Sequence, residues 1–153
     1  MSEPTLPTIK RLFAFSGNRC AFSNCPSPIV ESTGTPTGII CHIKARSPGG
    51  PRYDSKQTPE QRNGFENLIL MCARHSKLID SEPKRFTVEY LNALKSAHER
   101  NGSIELSRVD ANNAEALLKD YHSIYITADG PVMMNSPGAV QTVNNIKTIK
   151  NPK

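Results

Sequence analysis

The sequence predicts an α+β fold, with a small domain over residues 8 to 102 and a C-terminal extension over residues 103 to 153. Three observations carry this expectation. Two short apolar runs, Ile29-Val30 and Gly38-Ile39-Ile40-Cys41-His42-Ile43, flank a Gly/Thr/Pro turn and read as strands of a hairpin. Apolar residues recur at helical spacing before and after them. All four cysteines, Cys20, Cys25, Cys41 and Cys72, lie in the first half of the chain, which places the ordered core there.

Taken in order, residues 8 to 19 fit a short helix ending at Gly17, whose tolerance of positive φ suits a helix C-terminus. Cys20 to Cys25 reads as a tight loop, because Asn24, Pro26 and Pro28 are turn-prone. Lys44 to Gly64 is polar and rich in Pro and Gly, a long surface loop of the kind that often carries function. Asn67 to Cys72 is an apolar run leading into a turn and a helix over Arg74 to Asp80. Tyr90, Leu91, Leu94 and Ala97 mark a helix over Val88 to Arg100, stopped by Asn101-Gly102. In the extension, Asp110 caps a helix over Ala111 to Tyr121, with Ala114, Leu117 and Leu118 as its apolar face. Ser123 to Ala128 reads as a strand. The end, from Asn135, is polar with little to bury, and is expected to be flexible or ordered by a partner.

Composition bounds the function. Hydrophobic residues make up 37% of 153, with five Phe, four Tyr and no Trp. So modest a core commonly leans on a metal or another staple. The net charge of +5 suits a polyanionic partner. No apolar run approaches the ~20 residues of a membrane span, and the polar, Pro-containing N-terminus lacks the hydrophobic segment of a signal peptide. The expected compartment is the cytoplasm, where clustered cysteines more often hold metal than form disulfides.

Cys20-x4-Cys25 and Cys72-x2-His75 are two short-spaced ligand pairs on turns, separated by tens of residues. Each turn aims two donors at one point, and the second pair closes a tetrahedral shell, as a structural zinc site requires. Cys41 competes for the fourth position, although its place beside His42 in a strand pattern favours a packed side chain. A second constellation follows: Cys41-His42-Ile43, then Glu66-Asn67-Leu68-Ile69-Leu70-Met71-Cys72.

With these residues in this order, the stretch from about Arg11 to Glu99 resembles the HNH endonuclease superfamily. Its ββα-metal fold has a strand ending in His, a loop, an Asn-Leu-Ile-Leu-Leu-Cys segment and a helix. Ser47-Pro48-Gly49-Gly50-Pro51-Arg52, Leu78-Ile79-Asp80 and the Leu94-Lys95-x2-His98-Glu99 helix are similar to the versions in bacterial anti-phage defence effectors. The resemblance implies that His42 is the general base that deprotonates the attacking water. It implies that Asn67 orients the catalytic loop or helps hold metal. It also implies a divalent cation, usually Mg2+, on the scissile phosphate. Hydrolysis of a phosphodiester needs an activated water and a cation on the developing charge, and a neutral imidazole is a suitable base near pH 7. Two assignments of the final His remain open. Either His75 binds zinc and Ser76 stands at the catalytic position, or His75 serves the catalytic metal and zinc takes Cys41 or a water. The C-x2-H spacing favours zinc. His98, on the apolar side of its helix, reads as structural.

Lys44, Arg46, Arg52, Lys56, Arg62, Arg74 and Lys77 flank the proposed site and favour a phosphate backbone through counterion release. Arg52 and Arg74 are the first choices for such contacts, since guanidinium pairs with phosphate in a bidentate way; Lys44 and Arg46 follow. The expected partner is nucleic acid, double-stranded DNA before RNA, with residues 103 to 153 setting a homo-oligomer or receiving a regulatory protein. The alternative is a catalytically degenerate zinc module that binds nucleic acid or protein.

Overall fold

The computed structural model describes residues 3–99 and 106–123. Its first helix, α1 (Leu6–Ser16), follows from its ends and its stripe. Thr5 caps the N-terminus by accepting from the Thr8 amide, and a proline sits in the first turn, where a missing N–H leaves no bond unmade. Gly17, at φ 68°, closes the other end with its N–H on the Phe13 carbonyl at 2.9 Å. Ile9, Leu12, Phe13 and Ser16 are buried, one face of a helix at 3.6 residues per turn.

The sheet has two strands, β1 (Gly38–His42) and β2 (Leu68–Cys72), paired antiparallel from Gly38 opposite Cys72 to His42 opposite Leu68. This corrects the expected hairpin. Val30 makes an isolated bridge to Pro36, and Ile29 contributes only a carbonyl, which accepts from the Thr37 and Gly38 amides. The reason is burial. Leu68 to Met71 are all buried, with α1 and α3 (Ala73–Ser81) both packed on β2, so the backbone of β2 must find a ladder partner. β1 supplies it on one edge, and the Ala21 amide donates to the Leu70 carbonyl at 2.9 Å on the other. Ile29 crosses so close to β1 that a Cβ at Gly38 would lie 2.8–2.9 Å from its atoms, so glycine is required there.

Between the strands, the loop after Ile43 contains one short helix, α2 (Pro59–Arg62), closed by a capping box between Thr58 and Gln61. A 3-10 turn over Phe65–Asn67 then enters β2. Most of the loop is exposed or half-buried, as its composition suggests, but Arg52 runs inward. Its side chain is 4% exposed. It donates to the Ile43 carbonyl (2.7 Å), the Ile79 carbonyl (3.0 Å) and the Phe86 carbonyl (3.3 Å), and pairs with Asp80 at 2.7 Å. One guanidinium thereby ties β1, α3 and the chain beyond it.

Helix α4 (Val88–Glu99) buries Leu91, Leu94 and the stem of Lys95. The Lys95 ammonium pairs with Glu99 at 2.6 Å and lies over the Phe65 ring, which also carries the Arg11 guanidinium, each 3.9 Å from the centroid. Helix α5 (Arg108–Tyr121) starts earlier than expected. Ser107 rather than Asp110 caps it, with the Asp110 amide donating to Ser107 Oγ at 3.0 Å, and Asp110 sits in the first turn, where the helix dipole favours an acid. Contacts group the chain into Met1–Lys119 and Asp120–Lys153. The first unit holds everything above and α5 up to Lys119; the described part of the second is the end of α5 and the two residues after it. Apart from Ser123, the strand expected over 123 to 128 and the tail beyond it lie outside the described residues. Among the described residues no helix is long and apolar enough to cross a membrane.

Replacing Arg52 by Ala orphans three carbonyls and the Asp80 carboxylate. The expected loss is about 3 kcal/mol of stability in denaturant unfolding. Lys at this position fails to restore it because it lacks the guanidinium fork. A loss below about 1 kcal/mol would show that the loop is held by something else.

Candidate functional site

The ligand pairs read from the sequence meet in space. Cys20 and Cys25 lie on the loop after α1, where the Cys20 amide donates to the Ser27 carbonyl and the Cys25 amide to the Phe22 carbonyl. Asn24, at φ 62°, makes the return that brings the second cysteine round. Cys72 is the last residue of β2 and the N-cap of α3, and His75 stands in the first turn of that helix. The donor atoms of Cys20, Cys25, Cys72 and His75 all lie within 4.8 Å of one another. His75 Nδ1 is 3.6 Å from Cys20 Sγ and 3.3 Å from Cys72 Sγ.

These distances can be compared with the edges of a metal tetrahedron. Zn–S bonds of ~2.3 Å and Zn–N bonds of ~2.0–2.1 Å put S and N about 3.6 Å apart and two S atoms about 3.8 Å apart. The observed S···N separations fall near that edge, so the four residues are close enough to bind one ion, and the donor set is compatible with zinc. The chemistry points the same way. Burial pushes the Cys20 thiol up to about 12, so that thiol ionises only when a cation supplies compensating charge. Burial also raises the Cys25 thiol, but hydrogen bonds with Ser27 and the neighbouring cysteines outweigh it and hold that thiol below its ordinary value. At Cys72, α3 begins with no side-chain cap. The Phe22 ring stacks on the His75 imidazole, with centroids 4.0 Å apart and planes 4° from parallel, and fixes its orientation.

Cys41 is not in this cluster. It is fully buried, its Sγ donates to the Ile39 carbonyl at 3.8 Å, and the Ser76 side chain hydrogen-bonds to it. It packs as a small apolar residue, with its thiol held far above the usual range by desolvation. His98 is half-buried on α4, and burial, with the Arg19 cation, lowers its pKa below the ordinary value.

His42 and Asn67 lie at the opposite end of the sheet. The register puts Cys72 opposite Gly38 and His42 opposite Leu68, four residues along, which at ~3.4 Å per residue is about 14 Å from the cysteine end. The half-buried His42 ring places Nε2 3.0 Å from Asn63 Oδ1. Burial lowers its pKa below the ordinary value of 6.5; the Asn63 hydrogen bond opposes that, and the Arg46 and Arg62 cations reinforce it. Asn67 is buried and spent on backbone. Its Oδ1 accepts from the Lys44 amide (3.0 Å), and its Nδ2 donates to the Lys44 carbonyl (3.0 Å) and the Arg62 carbonyl (2.9 Å). It therefore clamps the two ends of the loop that follows His42.

The basic residues separate into two groups. Arg52 is the correction among them: its guanidinium is committed inside the protein and does not face a ligand. Lys44 pairs with Asp54 at 2.9 Å, and Arg62 is held by the Asp54 and Gln57 carbonyls, lying over the Tyr53 ring. Arg74 and Lys77 are exposed on α3, and Arg46 is half-buried beside His42. Asn63 was not singled out from the sequence, where it falls inside the Lys44 to Gly64 loop. Its partner, 21 residues away, carries no local signal. Among the described residues, Cys20, Cys25, Cys72 and His75 are the only group of three or more His, Cys, Asp or Glu placed to share an ion.

No family model matches the chain, and no curated protein matches it.

Protein purified without chelator is expected to carry one tightly held metal ion per chain by elemental analysis. Cys72→Ser loses that ion and its cooperative thermal unfolding, while Cys41→Ser keeps both. Full metal retention in Cys72→Ser would contradict the four-residue assignment.

Proposed function

We propose that this protein is a metal-dependent HNH-type endonuclease that hydrolyses phosphodiester bonds of nucleic acid, double-stranded DNA above all, with His42 as general base. The observation that supports the reading best is the placement of His42. It ends the strand paired with β2, β2 runs straight into α3 and the cysteine cluster, and Asn67 clamps the loop between them. In the proposed reaction His42 takes a proton from water as the water oxygen attacks phosphorus. The ester P–O bond breaks, and the leaving oxygen is protonated from solvent. A divalent cation arriving with the substrate phosphate would stabilise the developing negative charge. Among the described residues no group of three or more His, Cys, Asp or Glu at His42 is placed to share it. Zinc at the four-residue cluster acts as the staple. Arg74, Lys77 and Arg46 supply sequence-independent attraction to the backbone. An anti-phage effector role, with residues 103 to 153 as an oligomerisation or regulatory segment, rests on the resemblance of the sequence alone.

One observation favours a second reading, a non-catalytic zinc module that binds nucleic acid or protein. Ser76, at a position where a metal-binding side chain would be useful, is turned to the Cys41 thiol.

A plasmid-cleavage assay with Mg2+ separates the two. The wild-type chain is expected to nick or linearise the plasmid, and His42→Ala to lose at least a hundredfold in rate while keeping its bound zinc. Because the neutral imidazole is the base and its pKa is lowered, the rate should fall on acidification through a pKa below 6.5 and stay level from there to pH 8. Equal cleavage by His42→Ala removes the base assignment, and absence of cleavage by the wild type across several divalent ions favours the binding module.

A further inference from the structure

Asn63 terminates α2 and is 8% exposed. Its amide has two chemically distinct ends, and the surroundings decide which end faces which neighbour. Nδ2 lies 3.2 Å from the Pro59 carbonyl, a group that can only accept. That contact needs the NH2 end and would repel the oxygen. The amide oxygen is thereby directed to His42, where Oδ1 stands 3.0 Å from Nε2. An amide oxygen can only accept, so Nε2 must be the nitrogen that carries the proton. In a neutral imidazole the other nitrogen is then the basic one.

We infer that Asn63 is a positioning residue: through its Pro59 contact it holds His42 in the Nε2–H tautomer, which makes Nδ1 the basic nitrogen of the neutral ring. The assignment of a role to Nδ1 rests on the nuclease reading; the tautomer does not. The choice of amide over carboxylate also follows. Among the described residues Arg46 and Arg62 act on the ring as cations, and both disfavour an imidazolium. A carboxylate at residue 63 would also accept the Nε2 proton, but would hold the ring as imidazolium and remove its basicity near neutral pH. A neutral acceptor orients the ring and leaves it a base.

The test is long-range 1H–15N correlation NMR on the zinc-loaded full chain labelled at histidine, at pH 8, together with cleavage kinetics. Wild-type His42 is expected to show the Nε2–H pattern. Asn63→Leu, which cannot accept, should give a mixture of tautomers and lower kcat at least tenfold with KM nearly unchanged. Asn63→Asp should keep the Nε2–H tautomer and move the acid limb of the rate profile up by about one pH unit or more. A wild-type Nδ1–H tautomer overturns the inference. So does Asn63→Leu with the wild-type tautomer and kcat. Should Asn63→Leu fail to fold, the wild-type tautomer and the Asp profile still decide. An Nε2–H tautomer in a chain that cleaves nothing upholds the Asn63 lock and sinks the nuclease reading instead, so the two failures are distinguishable.

Discussion

The Cys20, Cys25, Cys72 and His75 donors, all within 4.8 Å of one another, join the loop after α1 to the junction of β2 and α3. Without that join, a 153-residue chain with no Trp has little apolar mass to hold a two-stranded sheet in place. With it, β2 is trapped between α1 and α3, its backbone must be laddered on an edge, and β1 is drawn across some thirty residues of chain to pair with it. Loop closure on that scale is entropically unfavourable, and a staple that gathers both ends of the fold offsets it. The position of His42 is a consequence: it is where the paired strand ends.

The two ends of this short sheet are held in different ways. At the cysteine end the four donor atoms of Cys20, Cys25, Cys72 and His75 gather within 4.8 Å of one another. At the His42 end the anchoring is done by neutral amides and by arginines acting as internal struts: Asn67 across the loop mouth, Arg52 beneath it, Arg62 along it. Cations spent in this way are not available to a polyanion. The exposed basic surface is narrower than the run of basic residues suggests, and on α3 it includes Arg74 and Lys77.

Much of this was legible in the sequence, and the boundary is physical. Local rules located α1, its glycine end, α4 and the Cys/His cluster, since caps, helical spacing and C-x4-C or C-x2-H turns are short-range signals. The partner of β1 was misread because Ile29-Val30 is nearer in sequence, and only the burial of β2 on both faces shows why the distant run wins. Arg52 looked like a ligand for phosphate because nothing local shows that three carbonyls and Asp80 converge on it. Asn63 escaped notice for the same reason. Contacts that join residues tens of positions apart through single polar atoms leave no periodicity to read.

The claim on which the account rests is that one ion is held by three thiolates and one imidazole. X-ray absorption at the zinc edge, on protein purified without chelator, tests it most directly. The account predicts a shell of three sulfurs at about 2.3 Å and one nitrogen at about 2.0–2.1 Å. A four-sulfur shell, which would place Cys41 on the metal and release His75, would contradict it, as would a shell of light atoms alone.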